Sequence, residues 1–153
     1  MEKTIILDNK NLRLRSSAVT NIWYKRAFGE DLLVQLTAYA KNYKELQSLQ
    51  TKISELKEDN TKSKEEILQE MNTLMQSEAF VSSNSFKDTT LPQMAYIMYL
   101  EANEPKETVF HKLNRDEFEL WLSSMDQDEL FALSGEVMDL WQSGAKTHSK
   151  PKN

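Results

Sequence analysis

The spacing of apolar positions changes along the chain, and each change marks an element. Thr4-Ile5-Ile6-Leu7 and Leu12-Arg13-Leu14-Arg15 flank the turn-rich Asp8-Asn9-Lys10-Asn11. The second run alternates apolar and basic side chains, the pattern of a strand with one buried face. A short hairpin is predicted. Two strands alone are marginal in water, so the hairpin must rest on helices or on another copy. Residues 17–28 then predict a helix with Val19, Ile22, Trp23, Ala27 and Phe28 on one apolar side. Gly29 follows where a helix end favours a left-handed residue, and Glu30 or Asp31 can open the next helix.

That next helix is long. Leu32, Leu36, Tyr39, Tyr43, Leu46, Leu49, Ile53 and Leu56 recur at spacings of 4, 3, 4, 3, 3, 4 and 3. They form one seam about 37 Å long at 1.5 Å per residue. Beyond Tyr43 the seam narrows to single apolar residues among Lys, Glu, Gln and Ser, which suits a coiled-coil contact better than a globular core. Asp59-Asn60-Thr61 interrupts it. Ser63 with Glu66 makes a capping-box pair for a helix carrying Ile67, Leu68, Met71, Leu74 and Met75. The Ser-rich stretch from Val81 to Thr89 is turn-like by composition.

The C-terminal half is more sharply punctuated. Thr90 with Gln93, Asn114 with Glu117, and Asp126 with Glu129 are three further capping pairs, each worth about 1 kcal/mol. Pro92 falls in the first turn of the first of these helices, where its missing N–H is harmless. That helix carries Met94, Ala95, Ile97, Met98 and Tyr99 and must end before Pro105. The second runs through Phe118, Trp121, Leu122 and Met125. The last runs through Leu130, Phe131, Leu133, Val137, Met138, Leu140 and Trp141, with a stop expected at Gly144.

The fold expected is mainly α: a short N-terminal β-hairpin followed by a helical domain with a long central helix or helical hairpin. Its parts are an N-terminal hairpin with helices (1–43), a coiled-coil-like helical hairpin inserted at 44–77, and a linker (78–89). A C-terminal helical part of the same domain (90–144) and a polar, disordered tail (145–153) complete it.

Charge and composition narrow the functions. The net charge is −5, yet residues 1–30 hold six Lys/Arg against three Asp/Glu, and residues 101–139 three against eleven. An acidic body argues against nucleic acid as a partner, since phosphate binding draws on clustered Lys and Arg. The uneven distribution can draw copies together head to tail. With no cysteine there is no disulfide, thiol nucleophile or Cys-bearing metal site. The apolar run at the start is too short for a signal peptide, and Ala95 to Leu100 falls far short of the ~20 residues of a membrane span. A soluble protein is expected.

Chemistry is sparse. Three glycines cannot build a phosphate-binding loop, and His111 and His148 are the two histidines. Neither has metal-ligand spacing, and no nucleophile elbow is present. Asp116, Glu117, Glu119, Asp126, Asp128 and Glu129 can supply an acid–base pair in principle. Their places at helix starts have a simpler cause, because anions there offset the macrodipole. No enzyme, no cofactor and no metal are expected, and no carboxylate of strongly shifted pKa. What remains is a set of Met and aromatic side chains of the kind that adapt to partner helices. Met94, Met98, Trp121 and Trp141 are the candidate partner-binding residues.

Ser17-Ala18 through Tyr24, then Phe28-Gly29-Glu30-Asp31-Leu32, are followed at a distance by Gln93-Met94-Ala95-Tyr96-Ile97-Met98. After these come Asp116-Glu117-Phe118-Glu119-Leu120-Trp121-Leu122 and Glu136-Val137-Met138-Asp139-Leu140-Trp141. In this order, in a small acidic helical chain, they resemble the tail assembly chaperones of long-tailed phages that infect Gram-positive bacteria. The likeness spans about two thirds of the sequence, and the heptad-like 44–77 region departs from it. The resemblance implies a chaperone that coats the helix-rich tape measure protein until tail tube protein replaces it. It implies self-association, a place in the infected host's cytoplasm and absence from the mature virion. It also implies a longer form made by frameshifting, for which Pro151-Lys152-Asn153 can be encoded by a slippery run. A coiled-coil dimeric adaptor built on the seam from Leu32 to Leu56 is the alternative. A metal-free hydrolase working through its carboxylates is the third.

Overall fold

The computed structural model describes residues 1–7 and 10–149, with side chains through Ser143. Strands β1 (Glu2–Ile6) and β2 (Asn11–Arg15) form an antiparallel hairpin in which Ile5 faces Leu12. Alternation places Ile5, Leu12 and Leu14 on the buried face, as their period of two dictates. The expected turn at Asp8-Asn9 lies outside the described residues. Helices follow as α1 (Val19–Phe28), α2 (Leu32–Glu58), α3 (Lys64–Met75) and α4 (Glu78–Ser85). A π-helical turn (Phe86–Thr90) runs into α5 (Leu91–Asn103), then come α6 (Lys106–Val109), a 3₁₀ turn, α7 (Arg115–Ser123) and α8 (Gln127–Ser149). The architecture is mainly α with a small N-terminal hairpin and a long helix.

The chain divides into two compact units. One comprises residues 1–33 and the chain from Thr89 onward; the other is Val34–Asp88. The first is organised around α5, which touches β2, α1, α7 and α8. Leu91 through Met98 and Leu100 are all buried, so the first two turns of this helix are enclosed on every side. A helix apolar all round is stable only in such a central place. The hairpin packs with β2 on α5 and β1 on α8, which supplies the support that two strands need. Ion pairs of Lys3 with Glu136 and of Lys10 with Glu129 also tie it to α8.

Three caps form as the sequence predicts. Asn114 Oδ1 accepts from Glu117 N (2.9 Å), Ser63 Oγ from Glu66 N (3.2 Å), and Asp126 Oδ1 from Glu129 N (2.8 Å). Gly29 takes φ +76°, the left-handed end of α1.

Other expectations are corrected. Thr90 does not cap α5: it is itself helical, the last residue of the π-helical turn, so its side chain has no free helix end to close. The stretch read as a linker, 78–89, is helical, since α4 and the π turn cover it. Its Ala79, Ser83 and Phe86 recur at four and three residues on one buried face, a helical spacing that Ser-rich composition masks. Nor does Gly144 end α8, whose backbone continues to Ser149 in place of the tail expected from Ala145. A single glycine costs a helix only about 1 kcal/mol. Residues 150–153 lie outside the described residues.

The buried face of α1 is Thr20, Tyr24 and Phe28, while Ile22 is 63% exposed. Two polar-tipped residues, Thr20 and Tyr24, go inside because buried partners await them on α5.

In the second unit, the seam of α2 turns inward at Leu46, Leu49 and Leu56, all buried, while Tyr43 stays exposed. Tyr39 stacks on Phe86 with ring centroids 4.3 Å apart. None of the residues of α3 is fully buried.

Candidate functional site

The two segments 17–32 and 93–98, far apart in sequence, meet in the core of the first unit. Tyr24 is fully buried, and its hydroxyl donates to Gln93 Oε1 at 2.6 Å. Burial pushes the Tyr24 phenol up to about 12, so it stays a donor at any physiological pH. Gln93 is free to accept because it caps nothing. Around this bond Phe28 packs on Tyr24 and edge-on against Phe118, and Phe118 meets Tyr96 and Trp121. Tyr96 donates to Lys112 O at 2.6 Å, which fixes the chain after α6. Burial raises its phenol pKa as well.

Met94 and Met98, two of the four nominated partner-binding residues, are 0% exposed. They are core, and no partner reaches them while this fold stands. Leu91 through Met98 are all buried, so the part of α5 that bears both is covered on all faces. Trp121 is half-buried against Tyr96 and Tyr99, with centroids 5.4 and 5.7 Å away. Trp141 is half-buried on α8.

The surface carries other apolar side chains. Phe110 is 52% exposed, with Trp23 edge-on at 6.1 Å and the Arg26 guanidinium 4.5 Å over its ring. Ile22 stands exposed beside Trp23 on α1. Elsewhere Phe131 on α8 is 85% exposed, and Leu120 on α7 is exposed as well. Phe131, one of the apolar residues along this helix, thus faces outward. A signal for it exists in the sequence: two residues along a helix is about 200° of rotation. Phe131 stands two residues from buried Leu133, and Leu120 two from buried Phe118. Ile22 likewise lies between buried Thr20 and Tyr24. Phe110 carried no such signal, sitting in a short 3₁₀ turn.

The carboxylates at helix starts do structural work. Asp126 caps α8, and Glu129 returns the box by accepting from Asp126 N (3.4 Å) while facing the Lys10 ammonium at 3.3 Å. No group of three or more His, Asp or Glu that can hold a metal occurs among the described residues. One carboxylate departs from expectation. Glu101, on α5, accepts from Ser17 Oγ and from Thr20 Oγ1 (2.5 Å). Burial pushes it up to about 6, against the pull of those two hydroxyls and of Arg15. Ala18 at the start of α1 offers no side-chain cap, and Ser17 Oγ accepts from Val19 N at 3.3 Å. Glu101 thus anchors the Ser17–Thr20 turn that opens α1.

The second unit holds a cavity of about 280 Å³ lined by Gln35, Ala38, Tyr39, Val81, Ser82, Ser85 and Phe86. None of these is an Asp, Glu, His, Lys or Arg. No described helix is long and apolar enough to cross a membrane. Neither a family model, nor a curated protein, nor a solved structure matches the chain.

Proposed function

We propose that this chain is a phage tail assembly chaperone. It binds the tape measure protein, keeps that protein soluble during tail assembly and gives way to tail tube protein. In this reading it acts in the cytoplasm of the infected bacterial host, is absent from the mature virion, self-associates on its partner and catalyses no reaction.

The observation that carries the reading is the buried bond from Tyr24 to Gln93. The ordered motifs behind the resemblance are far apart in sequence, yet they pack into one core, together with Phe118 and Trp121 of the acidic segment. Residues that resemble a family's pattern and also build one packing nucleus are better support than scattered matches. The physical demand is compatible with it. A tape measure protein presents a long apolar stripe that aggregates if left bare. Many weak copies cover such a stripe by avidity and remain displaceable.

The adaptor reading asks for a free seam on α2. Leu46, Leu49 and Leu56 are already buried within the chain, which counts against it.

Co-expression with the cognate tape measure protein tests the proposal. Soluble co-purification at many copies per partner, from a partner insoluble alone, is the expected result. A partner that stays insoluble, beside a discrete dimer of this chain, would return the function to the adaptor.

A further inference from the structure

The second unit holds a feature that its packing does not use. Gln35, Ala38 and Tyr39 fall on one face of α2, and Ser82, Ser85 and Phe86 on one face of α4 and the π-helical turn. These two faces line the cavity of about 280 Å³. Protein interiors are close-packed, so a gap of this size has a cause. Here the cause is residue size, because Ala38, Ser82 and Ser85 are too short to fill it. The Tyr39–Phe86 stack is a packing contact of the unit, and both of its rings also border the cavity as an aromatic wall. Ala38 and Ser85 are exposed, so the cavity opens to solvent. It ends on Phe86, the first residue of a π-helical turn, a rare element that recurs at functional sites.

We propose that this cavity binds a small, uncharged aromatic molecule carrying a hydrogen-bonding group, of which an aryl amide is the model. Three properties of the lining define the class. The first is size. A cavity of about 150 Å³ accommodates a benzene ring, so one of about 280 Å³ accommodates a ring with a polar substituent. The second is the aromatic wall, which offers ring contacts to a planar ligand. The third is charge. The lining contains no Asp, Glu, His, Lys or Arg, so an ionic ligand would give up its water and gain no counter-charge. The hydroxyls of Ser82 and Ser85 and the carboxamide of Gln35 are groups that both donate and accept, which matches a neutral amide. A ligand held only by the folded form stabilises it by mass action, so occupancy raises the opening energy of this unit. The inference concerns the second unit alone and does not depend on the function proposed above.

Heteronuclear NMR titration of the full chain with benzamide, benzoate and benzamidine tests it. The three share a shape and differ in charge. Benzamide should shift the amides of 35–39 and 81–86 along a saturable curve, and its two ionic counterparts should bind at least roughly tenfold more weakly. Hydrogen exchange in the same segments should slow as benzamide is added. Ser82→Leu and Ser85→Leu, which fill the gap from two positions, should each weaken benzamide at least roughly tenfold. The charge series is run on the unaltered chain, so it decides the matter even where a filled variant folds poorly. No saturable shift up to roughly 10 mM benzamide would overturn the proposal. So would equal binding of all three probes, shifts that fall outside the two segments, or benzamide binding that both folded variants retain.

Discussion

The two units of this chain are built on different principles. Every one of the largest fully buried side chains, from Tyr24 and Tyr96 to Leu133 and Val137, lies in the first unit. The second is held by a single seam on α2, by the Tyr39–Phe86 stack and by α4, and its one residue at 0% exposure is Ala79. It also buries the hydroxyls of Ser77 and Ser83 without a hydrogen-bond partner. A core closed on all sides fixes its side chains, whereas amphipathic helices sharing one seam do not. The first unit therefore sets the global stability, and the second opens locally at lower cost.

The largest way to probe that contrast is to cut into α5. Ile97→Ala should cost about 2–5 kcal/mol, because the site is enclosed and collapses poorly. Leu49→Ala should lower the second unit's own opening energy and leave the main transition nearly in place. Chemical denaturation followed by tryptophan emission reads the first unit alone, since Trp23, Trp121 and Trp141 all lie there.

Glu101 gives a pH signature of intermediate size. Its folded pKa, about 6, stands above its ordinary value of 4.5. The folded state therefore takes up a proton more readily than the unfolded chain. This contribution grows as pH falls from about 6 toward 4.5 and is absent above that window. It should amount to about 1 kcal/mol after solvent screening is allowed for. Melts of wild type and Glu101→Gln between pH 7 and pH 4.5 isolate it. The wild type should gain on the variant as pH falls, and parallel curves would contradict the assignment.

Capping residues should give similar or smaller effects. Asp126→Ala should cost about 1 kcal/mol, because it opens a reciprocal box. Ser83→Ala should be neutral or stabilise the second unit by about 0.5 kcal/mol, since it removes a buried hydroxyl that bonds to nothing. Hydrogen exchange at the amides of α4 resolves this smallest effect. A loss there would mean that Ser83 has a partner.

Much of the fold was legible in local chemistry. The hairpin alternation, the αL glycine at position 29 and the caps at Ser63, Asn114 and Asp126 are short-range signals, and all appear in the structure. The misreadings share a cause, which is tertiary. Thr90 looked like a cap because its neighbours in sequence allowed it, but a helical turn precedes it. Met94 and Met98 were nominated because Met adapts to partner helices, but residue type cannot tell an outer surface from a helix surrounded by four elements. Ile22 was placed on the apolar side of its helix, although the phase of buried Thr20, Tyr24 and Phe28 puts it on the far side. The anchoring of α1 by Glu101 was invisible, since Ser17 and Glu101 lie 84 positions apart.

On the proposed function, binding to the tape measure protein belongs to the motif-bearing first unit and does not need Val34–Asp88. Hydrogen exchange of the full chain, alone and saturated with a soluble helical fragment of the tape measure protein, tests this most directly. New protection should fall on the first unit, with amides 45–75 of the second unchanged. Protection confined to Val34–Asp88 would contradict the account and favour an adaptor that works through its helical hairpin.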